Sequence, residues 1–267
     1  MSGLSGQRLL HGGPVIPLLE RYNAADGYPP ASAARDGDGW HTLRELQADG
    51  GVLATQMRAF VVSSGCPPET AAAHMAGWVT GSFIRLLVFA YREERRLPLL
   101  TMDGTALRAD EDGWFNELAV DAPALAVRPG DPLAGHPGTL VTSTMEDQLL
   151  GTILALSTPV VDTLRGVSRL GRRTAWALVA DTVMSAFAGE LPPAPAHATA
   201  MEAERLLTGA GAGPLAVRRR WVGSVPLAAA CCLAYKRPGL EHCERVCPKL
   251  DDDTRQDQIT TWLRQPT

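Results

Sequence analysis

Residues Ala230-Cys231-Cys232-Leu233-Ala234-Tyr235-Lys236-Arg237-Pro238-Gly239-Leu240-Glu241-His242-Cys243-Glu244-Arg245-Val246-Cys247-Pro248 hold four of the chain's five cysteines, spaced C-C-x10-C-x3-C. The fifth, Cys66, lies far upstream. Cys231 and Cys232 are neighbours, and a disulfide between them closes only with a strained ring. Four merely buried cysteines fit the pattern poorly, because adjacent residues on an extended chain face opposite ways. Thiolates gathered like this point to metal ligation. Two metals compete. Structural zinc usually takes paired C-x2-C knuckles or a Cys/His mixture, for which a vicinal pair is atypical. An iron–sulfur cluster also takes four thiolates and tolerates more varied spacing.

The vicinal pair, the ten-residue gap with Tyr235 and Arg237-Pro238-Gly239, and the closing pair followed by Pro248 resemble the C-terminal signature of FhuF-type ferric siderophore reductases. The match covers roughly residues 217–250. The family closes its motif with C-x2-C, whereas Cys243 and Cys247 stand three residues apart. The resemblance implies a [2Fe-2S] cluster on Cys231, Cys232, Cys243 and Cys247. It also implies a ferric siderophore, of hydroxamate type, as substrate. An external electron donor such as a ferredoxin or a flavin reductase must then reload the cluster, since no flavin or nicotinamide motif is visible. His242 is the rival ligand to Cys243. The extra residue among Glu244, Arg245 and Val246 is expected to be absorbed as a bulge or helical turn, since i and i+4 share a helix face.

Charge is unevenly spread. From Leu215 to Leu250, seven basic residues (Arg218, Arg219, Arg220, Lys236, Arg237, Arg245, Lys249) oppose Glu241 and Glu244, a net +5. The total of −4 leaves −9 for the remainder. An acidic protein gives no reason to expect nucleic acid as a partner. Arg218, Arg219, Arg220, Lys236 and Arg237 are candidates for tuning a cluster's potential or docking a donor, against the plainer role of a solvated face. Arg237-Pro238-Gly239 most simply turns the chain to bring the cysteine pairs together.

With 267 residues, 45% hydrophobic and 20% charged, the chain can bury a sizeable core. Met1–Gly13 lacks the pattern of a secretory signal. The most apolar runs, Gly81–Ala90 and Leu149–Leu164, are short or carry Arg85 and Asp162, so no transmembrane segment is expected. Free thiols suit a cytoplasmic setting.

In chain order, a short helix near Pro17–Tyr22 leads into Gly/Pro/Asp-rich loop. Helices follow over Thr42–Ala48 and Val52–Ser64. Cys66-Pro67-Pro68-Glu69 opens a long helix to about Glu94, with Met75, Val79, Phe83, Leu86, Leu87 and Ala90 as its core stripe. Cys66, at that helix start, has no base or partner cysteine nearby and reads as a small residue at a cap. His11 and His41 read as surface residues.

Short segments at Leu97–Thr101, Thr105–Arg108, Trp114–Val120 and Ala124–Val127, separated by turn residues, predict a small antiparallel meander. Asp110, Glu111 and Asp112 read as a solvated hairpin tip, and Glu117 is the one strand acid worth examining. Pro129–Pro137 is loop. Ser143 and Glu146 fit a capping box for a helix to about Leu156, broken before Pro159 and resumed over Val160–Val167. Ser168–Ala188 is the next helix, with Gly189 as its stop. A proline-rich connector (Leu191–Ala196), a helix over Thr199–Thr208 and a flexible Gly209–Gly213 link complete the body.

Asp251 is expected to cap a terminal helix through Leu263. Hydrolase and nucleotide-binding motifs are lacking. The expected fold is α+β: a mainly helical body with a small antiparallel sheet (1–216), a loop-rich iron–sulfur tail (217–250) and a terminal extension (251–267). The expected function is one-electron reduction of a ferric siderophore with release of ferrous iron. A zinc-stapled interaction module and an iron–sulfur carrier or redox sensor with another partner are the alternatives.

Overall fold

The helix that opens after Cys66 is the axis of the computed structural model, which describes residues 15–47, 51–122, 124–188, 193–240, 242–243 and 246–264. Before it come α1 (Ile16–Ala24), β1 (Ala31–Ser32), β2 (Trp40–Thr42), α2 (Leu43–Leu46) and α3 (Val52–Ser64). The axis itself, α4 (Pro68–Phe89), starts with Pro68 in its first turn, where a missing N–H costs nothing, and with Glu69 at the positive end of the dipole. Met75, Val79, Phe83, Leu86 and Leu87 are all buried along it. A π turn over Ala90–Glu94 extends it to Arg95, whose left-handed backbone (φ 54) ends it. By length and composition Pro68–Glu94 could cross a membrane, yet 72% of its most apolar window is buried inside the protein. It is the core helix.

Around α4 pack α3, α5 (Met145–Gly166) and α6 (Arg172–Ala188), while α7 (Pro193–Thr208) lies on α6. The strands β3 (Arg96–Pro98), β4 (Thr105–Ala109), β5 (Phe115–Val120), β6 (Leu125–Val127) and β7 (Thr139–Val141) sit between α4 and α5 in the chain. They form two small sheets, ordered β1-β5-β4-β2 and β3-β6-β7. The architecture is therefore α+β, as the sequence predicts. The four expected strands pair antiparallel but not as one meander: β4 pairs with β5 in one sheet and β3 with β6 in the other, while β1 joins β5 and β7 joins β6 in parallel. Those two edge strands are too short to leave a period-2 signal.

Asp110 holds the β4–β5 turn by accepting from the N–H groups of Asp112 and Trp114 (3.0 and 2.8 Å). Glu117 is paired across the strands with Arg108 at 2.7 Å. It braces the hairpin.

Several helix boundaries differ from expectation. α5 runs unbroken through Pro159, because Leu156, Val160, Val161 and Leu164 are buried on its inner face. Each contributes about 1.5–3 kcal/mol, enough to offset the roughly 3 kcal/mol a helical proline costs. Its N-cap is Thr144 without a side-chain cap, since Glu146 instead accepts from the Tyr91 hydroxyl (2.9 Å) and pairs with Arg128 (3.2 Å). The capping box forms at Thr42 and Glu45, which starts α2.

Ser168 closes α5 by donating to Leu164 O (2.6 Å), so α6 begins only at Arg172. α7 starts at Pro193, absorbing most of the expected connector. The expectations at His11, Met1–Gly13, Ala48, Pro123, Gly189, Leu191, Glu241, Glu244 and Arg245 lie outside the described residues.

Gly113 is required by space as well as by φ (+92): a Cβ there would lie 2.5 Å from Gln56 O and 2.6 Å from Phe60 N. Gly113→Ala should cost about 2 kcal/mol or more in urea unfolding. Gly151→Ala, facing open space within α5, should stabilise by about 0.5–1 kcal/mol.

Candidate metal centre and adjoining cleft

After α7 and a 3-10 turn over Ala210–Leu215, the chain makes a two-stranded hairpin, β8 (Trp221–Val222) with β9 (Val225–Pro226), and then delivers Cys231 and Cys232. Three clamps hold this stretch. Asp181, on α6, accepts from the backbone N–H groups of Ala229 (2.9 Å) and Ala230 (3.0 Å), just before the vicinal pair. The Ala228 N–H donates to Val246 O (2.9 Å), tying the first cysteine pair's strand to the second pair's loop. Arg255, buried on α8 (Asp252–Leu263), donates to Cys247 O (3.2 Å) and to Leu250 O. Asp251 caps α8 by accepting from Thr254 N–H (2.8 Å), as expected. The terminal helix is thus a latch on Cys247.

Between the pairs, Leu233 takes the left-handed conformation (φ 62) and a 3-10 turn spans Ala234–Lys236. The Leu240 N–H donates to Arg237 O (3.1 Å), and Gly239 (φ +76) completes the reversal. Arg237-Pro238-Gly239 is a turn, and it docks on the body: Lys236 pairs with Glu69 at 3.0 Å, and Arg237 stacks over Phe60 at 5.2 Å.

All five cysteines are free thiols. Cys232 Sγ and Cys243 Sγ lie 3.7 Å apart. That is close to the ~3.8 Å edge expected of a tetrahedron with metal–sulfur bonds of about 2.3 Å. Cys247 is buried within hydrogen-bonding reach of Cys243, and Cys231 accepts from the Leu233 N–H at 3.4 Å. The Cys232 and Cys243 thiols share a hydrogen bond, which lowers the Cys232 pKa and, together with burial, raises that of Cys243. Burial also raises Cys231.

As the side chains stand, no group of three or more His, Cys, Asp or Glu among the described residues is spaced to hold a metal ion. The donor set, four soft sulfurs on two loops clamped together, fits a thiolate-bound metal or iron–sulfur cluster by its chemistry. His242 is exposed and stacks on Tyr235, with ring centroids 5.4 Å apart. Cys66 is buried in the core.

Cys232 and Cys243 line one wall of a cleft of about 560 Å³. α4 contributes His74, Trp78 and Arg85, α6 contributes Asp181 and Thr182, and α8 contributes Trp262. His74 Nε2 is buried without a partner, and burial, with Arg237 beside it, lowers the ring's pKa to about 4, so it is neutral near pH 7. The Trp78 N–H donates to Phe115 O (2.6 Å), which leaves an apolar ring for the cleft.

None of these body residues stood out in the sequence as site residues. The usable signal was polar residues within apolar helices: Arg85 inside Gly81–Ala90, and Asp181 inside α6. The five basic candidates separate in space. Arg218 and Arg220 are exposed, whereas the Arg219 side chain is 1% exposed and pairs with Asp181 (2.5 Å) and Glu204 (3.4 Å). Arg219 belongs to the scaffold.

Burial pushes the Asp181 carboxyl up, against the opposing pull of Arg219 and the two N–H groups. Asp181→Ala should leave Arg219 with Glu204 alone and the Ala229 and Ala230 N–H groups without their acceptor, and cost about 3 kcal/mol in urea unfolding. Arg220→Ala, exposed and 3.9 Å from Asp252, should change stability by less than about 0.5 kcal/mol. Among known proteins, no family model matches the chain and no curated protein is significantly similar to it.

Proposed function

We propose that the chain is a cytoplasmic ferric siderophore reductase, with a hydroxamate-type chelate as substrate and a ferredoxin or flavin reductase as electron donor. One observation carries the reading: two of the four clustered cysteines line a cleft of about 560 Å³, within the usual size range of small-molecule sites. The resemblance of the cysteine spacing to FhuF-type reductases supports it. When bound by Cys231, Cys232, Cys243 and Cys247, a [2Fe-2S] centre supplies single electrons.

The chain's own residues do the rest. Asp181, Val246 O and Arg255 hold the thiol-bearing loops together. His74, neutral near pH 7, adds no charge to the wall. Trp78 and Trp262 give the cleft apolar surface from which water is displaced. The substrate's ferric ion gains one electron from the donor and becomes ferrous, which the same anionic oxygens hold far more weakly, so the metal is released. No nucleophile or general base is required. Exposed Arg218, and Arg220 with its long 3.9 Å contact to exposed Asp252, present charge to an acidic donor; Lys236 is engaged with Glu69.

Protein purified without oxygen should be red-brown, with about two irons and two acid-labile sulfides per chain. Serine at any of positions 231, 232, 243 or 247 should diminish or abolish the colour, while Cys66→Ser should keep it. Stoichiometric zinc without sulfide would instead favour a zinc-stapled module.

After anaerobic reduction, stopped-flow mixing with a ferric trihydroxamate should reoxidise the protein, and a ferrous-specific chelator should register the released iron. If no ferric chelate is reduced faster than buffer alone oxidises the protein, the reductase reading fails and an electron carrier takes its place. Neutralising Arg218 and Arg220 should weaken donor docking, an effect that shrinks as salt is added.

A further inference from the structure

The cleft has two ends. His74, near the start of α4, lies close to Arg237 of the cysteine segment, and Lys236 and Pro238 meet Glu69 and Gly65 in the same region. Arg85 stands eleven residues beyond His74, about 16 Å along the helix. With no side chain at Gly81, its guanidinium can lie back along α4: a Cβ at position 81 would be 3.9 Å from Arg85 Cζ. There it donates to the Tyr28 carbonyl, at 3.4 Å, with the Tyr22 ring in electrostatic reach, and pairs with no carboxylate among the described residues. The other cation in the wall, Arg219, is held by Asp181 at 2.5 Å and by Glu204 at 3.4 Å, so it offers no free positive charge. His74 is neutral near pH 7. Arg85 is therefore the arginine of this wall without a carboxylate partner among the described residues, set away from the thiols.

We infer that the cleft is the seat of the ferric chelate, and that Arg85 makes it select chelates by the charge of their outer arm, anionic over neutral over cationic. The ligand's class rests on the reductase reading; the selection rests on Arg85. A ferric trihydroxamate core is neutral, so such chelates differ in charge at the periphery. With its iron near Cys232 and Cys243, a chelate extends an arm along α4 towards Arg85. A terminal carboxylate there gains a charge-assisted hydrogen bond from the guanidinium, while a terminal ammonium meets a like charge. Trp78 and Trp262 pack the aliphatic spacers.

The test uses one linear trihydroxamate with three ends: free amine, N-acetyl and N-succinyl. Each is loaded with gallium(III), which has the charge of ferric iron but takes no electron, and is titrated calorimetrically into the full chain. The succinyl form should bind about tenfold more tightly than the amine form, with the acetyl form between. Arg85→Gln should bring the three within about twofold, and Arg85→Lys should retain the order. Ser185→Trp, at the exposed rim, should weaken all three alike.

Equal affinities on the native chain, an order unchanged by Arg85→Gln, or no binding at all would overturn the inference. The iron(III) forms then separate it from the reductase reading. Ordered gallium binding without reduction of the ferric chelates sinks the reductase and keeps the cleft. Reduction at one rate whatever the terminus or residue 85 keeps the reductase and sinks the cleft assignment.

Discussion

Asp181 accepts three hydrogen bonds in a buried setting: one from the Arg219 guanidinium and one each from the N–H groups of Ala229 and Ala230. A carboxylate so placed is costly to desolvate, and its donors repay that only if all are in place. The arrangement couples three parts of the chain. Asp181 is on a core helix, Arg219 enters from the segment after α7, and the two amides precede the vicinal cysteines. Removing the carboxylate would leave the buried Arg219 with Glu204 alone and the Ala229 and Ala230 N–H groups without this acceptor, so the cysteine segment is joined to the body by an interaction that is expensive to break. The segment is loop, with little regular structure to hold itself, and it depends on the body for its shape.

The same helix pair that carries Asp181 also makes the cleft. Gly77 and Gly81 on α4 face Thr182 on α6, where added Cβ atoms would come within 3.6 and 3.3 Å of its side chain. These close contacts set the floor, and the longer side chains of His74, Trp78 and Arg85 form the wall above it. The cysteine loops and α8 complete the enclosure, so Cys232 and Cys243 face His74, Trp78 and Arg85 across one volume. That proximity is what makes a reducing centre next to a bound chelate a coherent proposal. The latch by Arg255 gives the terminal helix a part in the same arrangement, holding Cys247 from behind.

Much of the body was legible because its signals are local. Proline at the start of α4, the Asp110 turn and the Asp251 cap each act within a few residues, so the sequence alone places them. The cysteine crowding and the Arg-Pro-Gly reversal are local in the same sense. Where propensity and burial conflict, local reading fails. Pro159 stays inside α5 because the buried face beside it outweighs the lost hydrogen bond, and Glu146 leaves its cap role because Tyr91 and Arg128 offer better partners.

By itself the sequence determined that the protein is a helical α+β chain carrying four clustered thiols in a basic tail, since composition, periodicity and spacing are properties of neighbours along the chain. Only the tertiary structure decided what those thiols face. Arg219 reads like Arg218 and Arg220 in sequence, yet it alone is buried against Asp181 and Glu204. Arg85 reads as an interruption of an apolar run, and only packing turns it into the charged wall of a cleft. Charge pairing and enclosure arise between residues far apart in the chain, and no spacing along it records which of them will meet.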